Sequence, residues 1–173
     1  MRFSVAVEPI EDNGELKYTS SGSDKVEFLI SSNPGEGLKP LSKIASGGEM
    51  SRIMLALKSV LTDSDIVETL IFDEIDTGVS GRAAQKIAEK IRALSKKRQI
   101  LCITHLAQIA GMANTHYLVK KESDDNHTYT SVIRLDNDAR KYELARIIGG
   151  VKITDLTLQA AQEMLELAGG EEN

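Results

Sequence analysis

The chain has 173 residues, of which 41% are hydrophobic and 27% charged, with a net charge of −5. That balance fits one soluble domain with a single sizeable core, and the negative charge argues against a broad nucleic-acid-binding surface on this piece. No apolar run approaches the roughly 20 residues of a membrane helix and no signal-peptide pattern opens the sequence; with a single cysteine, Cys102, an internal disulfide is impossible and a reducing cytoplasm is expected.

The first predicted element is a hairpin. Phe3, Val5 and Val7 alternate on one face, Asp12-Asn13-Gly14 supplies a turn, and residues 25–30 form a second apolar strand. A loop dense in turn residues follows at 31–37. Met50, Ile53, Met54, Leu57, Val60 and Leu61 recur at three- and four-residue spacing and predict a helix. Residues 69–72 form a short apolar strand ending in Asp73-Glu74. A helix from about Gly81 turns Ala84, Ile87, Ala88, Ile91 and Leu94 inward, and its end carries Lys96-Lys97-Arg98, cations that complement a helix C-terminus. The run 99–103 is another apolar strand, ending in Thr104-His105. Cys102, inside that run and with no flanking basic residue, is a buried inert thiol.

Strand, helix and strand with fully apolar strands predict parallel pairing through a right-handed crossover. A short helix at 106–113, a hairpin of 117–120 with 129–134 around Ser123-Asp124-Asp125-Asn126, and two closing helices complete the chain. The first helix runs from about 139 to 148 and stops at Gly149-Gly150. The second starts at a Thr154 cap and carries Leu158, Ala161, Met164, Leu165 and Ala168. The expected fold class is α/β, a mainly parallel sheet flanked by helices plus antiparallel hairpins. One domain is expected over 1–168, with a frayed tail at 169–173.

Three constellations carry chemistry, each at the end of an element. Ser46-Gly47-Gly48-Glu49 opens the periodic helix: glycines let the backbone approach a ligand, and the helix start offers free N–H groups to an anion. A capping box of Ser46 with Glu49 is the structural alternative, though it does not require two glycines that each cost ~1 kcal/mol of helix propensity. Asp73-Glu74 ends an apolar strand, where open α/β sheets bind ligands; Asp73 can hold Mg²⁺ and Glu74 can polarise a water, or both can begin a solvated loop. His105 ends the next strand; alone, it reads as structural or merely exposed. Their order and spacing along one chain is what favours function.

With those residues in view, Ser46-Gly47-Gly48-Glu49 resembles the signature motif of ATP-binding-cassette ATPases, Asp73-Glu74 their Walker B end, and Ile103-Thr104-His105 their H-loop. Asn33-Pro34-Gly35-Glu36, residues 45–50 and the run from Asp73 to Gly81 are most similar to the RecN family, which is SMC-like, and Arg146 to Gly150 with the Thr154 helix resembles its C-terminal end. The resemblance covers roughly residues 25–167. It implies the C-terminal lobe of an ATPase head for DNA double-strand break repair and recombination in a bacterial, nucleoid-associated cytoplasmic protein. Asp73 would serve Mg²⁺, Glu74 the hydrolytic water and His105 the γ-phosphate. Ser46, Gly47, Gly48 and Glu49 would serve ATP held by the opposite head of a homodimer, and Ser80 stands in the D-loop.

The sequence also departs from the family pattern. Ala45 replaces the usual signature leucine and Glu49 the usual glutamine, and Ser80 stands where many relatives carry an aspartate. No Gly-x-x-x-x-Gly-Lys-Ser/Thr occurs and no glutamine precedes Gln85, so the Walker A loop and Q-loop are expected from an N-terminal half of the same head. Alone, the chain is expected to be inactive, and DNA would be engaged through a longer parent. Alternatives are an SMC-type chromosome-organising head, a transporter cassette (disfavoured by Ile75, where transporters usually place proline), and a non-catalytic dimerisation domain of the same fold.

Overall fold

A computed structural model describes residues 2–31, 35–43, 46–61, 66–124 and 127–169. The expected turn residues Asn33-Pro34 and Asp125-Asn126, and Ala45, lie outside these. The chain divides into two compact units, Met1–Ser46 and Gly47–Asn173.

In the first unit, β1 (Arg2–Pro9) pairs antiparallel with a later strand, and Asn13-Gly14 does not join the two directly. Instead β2 (Glu11–Asp12) and β3 (Glu15–Leu16) make their own small hairpin. Both turn residues have positive φ, 55° at Asn13 and 83° at Gly14, the pair of values that a two-residue hairpin matched to strand twist requires. β4 (Asp24–Ser31) then returns along β1, pairing Phe3 with Ile30 and Val7 with Val26. β5 (Lys39–Pro40) adds a short third strand beside β4, followed by the 3-10 turn Leu41–Lys43. The alternating face is apolar as expected, with Phe3 and Phe28 rings 5.7 Å apart, yet Phe3, Val5, Val7, Val26 and Phe28 all remain substantially exposed.

The second unit begins with α1 (Gly47–Val60). Its buried face holds Ile53 and Leu55, while Met54, Val60 and Leu61, expected inward, are exposed. β6 (Thr69–Phe72) and β7 (Gln99–Cys102) pair in parallel, Phe72 opposite Cys102, with α2 (Gly81–Ser95) as the crossover. Ala84, Ile87, Ala88 and Leu94 are buried and Ile91 packs on the same cluster, the stripe that the 3.6-residue period dictates.

α3 (Ala107–Gly111) joins two cores. Its Ile109 packs with Leu55, Phe72, Ile75, Ile87, Ala88 and Leu94, while Ala107 and Ala110 pack with Leu144, Ala145 and Ala161. β8 (Tyr117–Ser123) and β9 (Thr128–Arg134) form the second hairpin. α4 (Asn137–Gly149) starts at Asp136, whose carboxylate accepts the Ala139 N–H at 2.8 Å, and ends at Gly150 with φ 69°. α5 (Asp155–Gly169) has the Thr154 hydroxyl at its start, accepting from Thr157 N. Gly169, expected in the tail, closes this helix, and the rest of the tail lies outside the described residues.

Among the described residues of this unit, the parallel pair is covered on one face. Leu70, Phe72, Ile100 and Cys102 face the core, whereas Ile71, Leu101 and Ile103 are 67%, 48% and 62% exposed. Fully apolar strands predict cover on both faces; the second cover is not supplied by the described residues. No helix among them is long and apolar enough to cross a membrane.

Candidate functional site at the C-terminal edge of the parallel strands

The parallel register brings the ends of β6 and β7 to one edge. The ladder continues one residue past them through Ile103 N–H donating to Phe72 O at 3.0 Å, so Asp73, Glu74 and His105 emerge side by side. All three are exposed. Glu74 has φ 57°, a left-handed backbone that costs a non-glycine residue of order 1–3 kcal/mol and persists only where neighbours enforce it. The enforcing contacts are visible. Asp73 Oδ1 accepts the Glu74 N–H at 2.9 Å, and Glu74 O accepts the Thr77 N–H at 3.0 Å.

The start of α1 lies against this loop. A Cβ on Gly47 would collide with the Glu74 carboxylate, and one on Gly48 would stand 2.8 Å from Glu74 O and 3.1 Å from Thr77 Cβ. The glycine pair thus has a reason beyond capping: it lets the helix start meet the carboxylate-bearing loop. Gly48 is buried and Gly47 exposed. Ser51 Oγ donates to Asp73 O at 2.7 Å, and the Arg52 guanidinium donates to Ile75 O at 3.1 Å and Thr77 O at 2.9 Å. Ser46 closes the first unit, directly before Gly47 in sequence. Ser80 occupies the N-cap position of α2, but its hydroxyl makes no cap bond. Gly78 and Gly81 on either side have φ of 72° and 51°.

Among the described residues no three His, Cys, Asp or Glu side chains converge as a metal cage. Asp73 offers one exposed carboxylate. That donor set fits a nucleotide-borne Mg²⁺, which takes one or two protein carboxylates and completes its shell with phosphates and water.

No family model matches the chain. It is 51% identical over 160 residues to the DNA repair protein RecN of Bacillus subtilis, covering 92% of this chain and 28% of that protein. With the RecN of Treponema pallidum the identity is 54% over 144 residues, 83% of this chain and 25% of the relative. The chain is a RecN-like segment. It spans about a quarter of the length of these curated relatives. Among solved structures, the Smc head domain with a coiled coil and joint from Pyrococcus yayanosii matches 87% of this chain and 26% of its own, at a TM-score of 0.55 and 19% identity. That likeness shows a shared fold, with helices and a parallel strand pair as in that Smc head domain.

Two residues at this edge escape a sequence reading. Asp76 is 3% exposed and its Oδ2 accepts from Thr104 Oγ1 at 2.6 Å and the His105 backbone N–H at 2.8 Å, with the His105 ring nitrogen Nδ1 2.9 Å away. Burial alone would raise this carboxyl; the donors of Thr104 and His105 outweigh it and hold Asp76 below the ordinary 3.8. The signal in the sequence is slight, an acidic residue just after the buried Ile75. Arg52, which ties α1 to the loop, has no sequence signal at all. Cys102 is half-buried rather than buried; that burial, with the charges of Asp76 and Asp73, pushes its thiol up to about 11, leaving almost no thiolate at neutral pH.

Gly48→Ala sets two effects against each other. Alanine gains up to ~1 kcal/mol of helix propensity, but its methyl would press on Glu74 O, a backbone atom with little room to yield. Overpacking of this kind costs about 1–3 kcal/mol, so the variant is expected to unfold at lower denaturant. A midpoint at or above wild type would refute the close approach.

Proposed function

We propose that this chain is the C-terminal lobe of the ATPase head of a RecN-like protein acting in double-strand break repair and recombination. It would supply the signature, Walker B and H-loop elements for ATP hydrolysis in a head-to-head homodimer. The observation that carries the reading is the shared edge, where a glycine-paired helix start, the Asp73-Glu74 strand end and His105 on the adjacent parallel strand meet. It is supported by the identity to RecN proteins over most of the chain. The same reading gives the exposed Ile71, Leu101 and Ile103 a partner: the N-terminal half of the head, with its Walker A loop, would cover them. Full burial is worth about 1.5–3 kcal/mol for each such side chain.

Within the complete head, Mg²⁺ when bound would neutralise charge on the β- and γ-phosphates. Asp73 would hold that ion. Glu74 would orient the attacking water and take its proton. His105 would present its ring to the γ-phosphate. Ser46, Gly47, Gly48 and Glu49 would act on the nucleotide of the opposite head, with Gly47 exposed and Ser46 half-buried, and Ser80 would lie in the segment joining the two sites. DNA would be bound by the longer parent, in the bacterial cytoplasm. An SMC-type chromosome-organising head shares the fold, but 51% against 19% identity favours the RecN reading.

The trans arrangement has its own test. Complete proteins carrying Ser46→Arg or Glu74→Gln are each expected to be inactive. Mixed, they form heterodimers in which one composite site keeps an intact signature and an intact Walker B end, so ATP turnover should return. A mixture as inactive as its components would remove the trans role of Ser46.

A further inference from the structure

We propose that Arg52 is a positioning residue for Glu74: from α1 it clamps the loop that carries the carboxylate, and Gly48 leaves the room that the clamp needs. That the clamped carboxylate handles water rests on the ATPase reading above; the clamp itself does not.

Glu74 has a φ of 57°, a left-handed backbone that a non-glycine residue keeps only where its surroundings over-determine it. The Glu74 N–H donates to Asp73 Oδ1 and the Thr77 N–H to Glu74 O, but both bonds lie within the loop and would turn with it. The buried Ile75 side chain, and the Asp76 carboxylate bonded to Thr104 and to the His105 N–H, tie the loop down by side chains. Its carbonyls are held from α1. Ser51 Oγ donates to Asp73 O at 2.7 Å, and one nitrogen of Arg52, Nη1, donates to Ile75 O at 3.1 Å and to Thr77 O at 2.9 Å. Among the described residues neither of those last two carbonyls receives a backbone N–H. The grip falls on both sides of Glu74 and fixes how the flanking peptide planes are turned.

Gly48 stands one helical turn before Arg52. A Cβ there would lie 3.0 Å from Arg52 Nη1, besides 2.8 Å from Glu74 O, so the guanidinium crosses the bare face of this glycine to reach the loop. Gly47 makes the matching space for the Glu74 carboxylate, which a Cβ would strike. The start of α1 therefore serves its own strand end as well as whatever meets its exposed side. Holding a reacting group through a neighbour whose own place is locked by hydrogen bonds is a general requirement of a precise site.

In the complete ATPase, Arg52→Met removes the donors and keeps a long side chain. Its kcat is expected to fall roughly ten- to a hundredfold, as for a misplaced reacting group. KM for Mg-ATP should stay within about twofold, since Arg52 bears on the loop and not on the nucleotide. Arg52→Lys, which can still reach one carbonyl, should recover part of the loss. Added to Glu74→Gln, Arg52→Met should cost little more, because both act through one carboxylate; losses that multiply would overturn the proposal. A second readout needs no ATP. The segment 73–81, with its Thr77 N–H bonded to Glu74 O, should exchange amide hydrogen faster in Arg52→Met than in wild type, while α2 is unchanged. Unaltered exchange there would overturn the clamp whatever the turnover. Should Arg52→Met fail to fold, Arg52→Lys carries the same comparison. Faster exchange in a protein whose wild type has no ATPase activity would sink the function and leave the clamp standing.

Discussion

In the complete ATPase, Glu74→Gln is expected to bind ATP normally, to turn it over at least about a hundredfold more slowly, and to accumulate engaged head dimers. General-base assistance contributes roughly 10²–10⁴ to such steps, and the amide keeps the size and a hydrogen-bonding oxygen while losing the basicity. The structure adds a reason for the substitution to be clean. The Glu74 backbone is fixed by Asp73 Oδ1 and Thr77 N, neither of which touches its side chain, so the left-handed φ of 57° should survive. Sedimentation beside a turnover assay separates the two effects. Turnover within a few-fold of wild type would mean that Glu74 is not the carboxylate that handles water.

The positions of Asp73, Glu74 and His105 were legible because each ends an apolar run, and the ends of parallel strands share an edge. The α2 stripe was legible for a related reason, since its period alone separates Ala84, Ile87, Ala88 and Leu94 from the charged side. Asp76 and Arg52 were not. Their partners lie 28 and 29, and 23 and 25, residues away in the chain, and only the folded loop brings them together. Periodicity also overreached on α1: Met54, Val60 and Leu61 fit a helical face, but the described core reaches Ile53 and Leu55 instead. The apolar runs at 69–72 and 99–103 marked the parallel pair, but they did not tell which of its side chains stay open, and Ile71, Leu101 and Ile103 do. Composition reports that a face is apolar, and says nothing about which chain covers it.

The second large effect concerns the chain by itself. Negligible ATP turnover and very weak ATP affinity are expected, because most ground-state binding of a triphosphate comes from the backbone amides and lysine of a Walker A loop. The sequence contains no such motif. What it brings to the edge is two exposed carboxylates, Asp73 and Glu74, which repel a triphosphate that carries no Mg²⁺. The open face of Ile71, Leu101 and Ile103, with 48–67% exposure, should also promote self-association, since contiguous apolar surface of this kind marks an interaction site.

Calorimetric titration of the purified 173-residue chain with Mg-ATP, without and with the N-terminal half of a RecN-like head, tests the half-site account most directly. The expected result is no measurable heat and no hydrolysis from the chain alone, with saturable binding and turnover once the second lobe is present or covalently joined. Micromolar binding with steady hydrolysis by a verified monomer of this chain would contradict the account, because it would require a phosphate cradle within these residues.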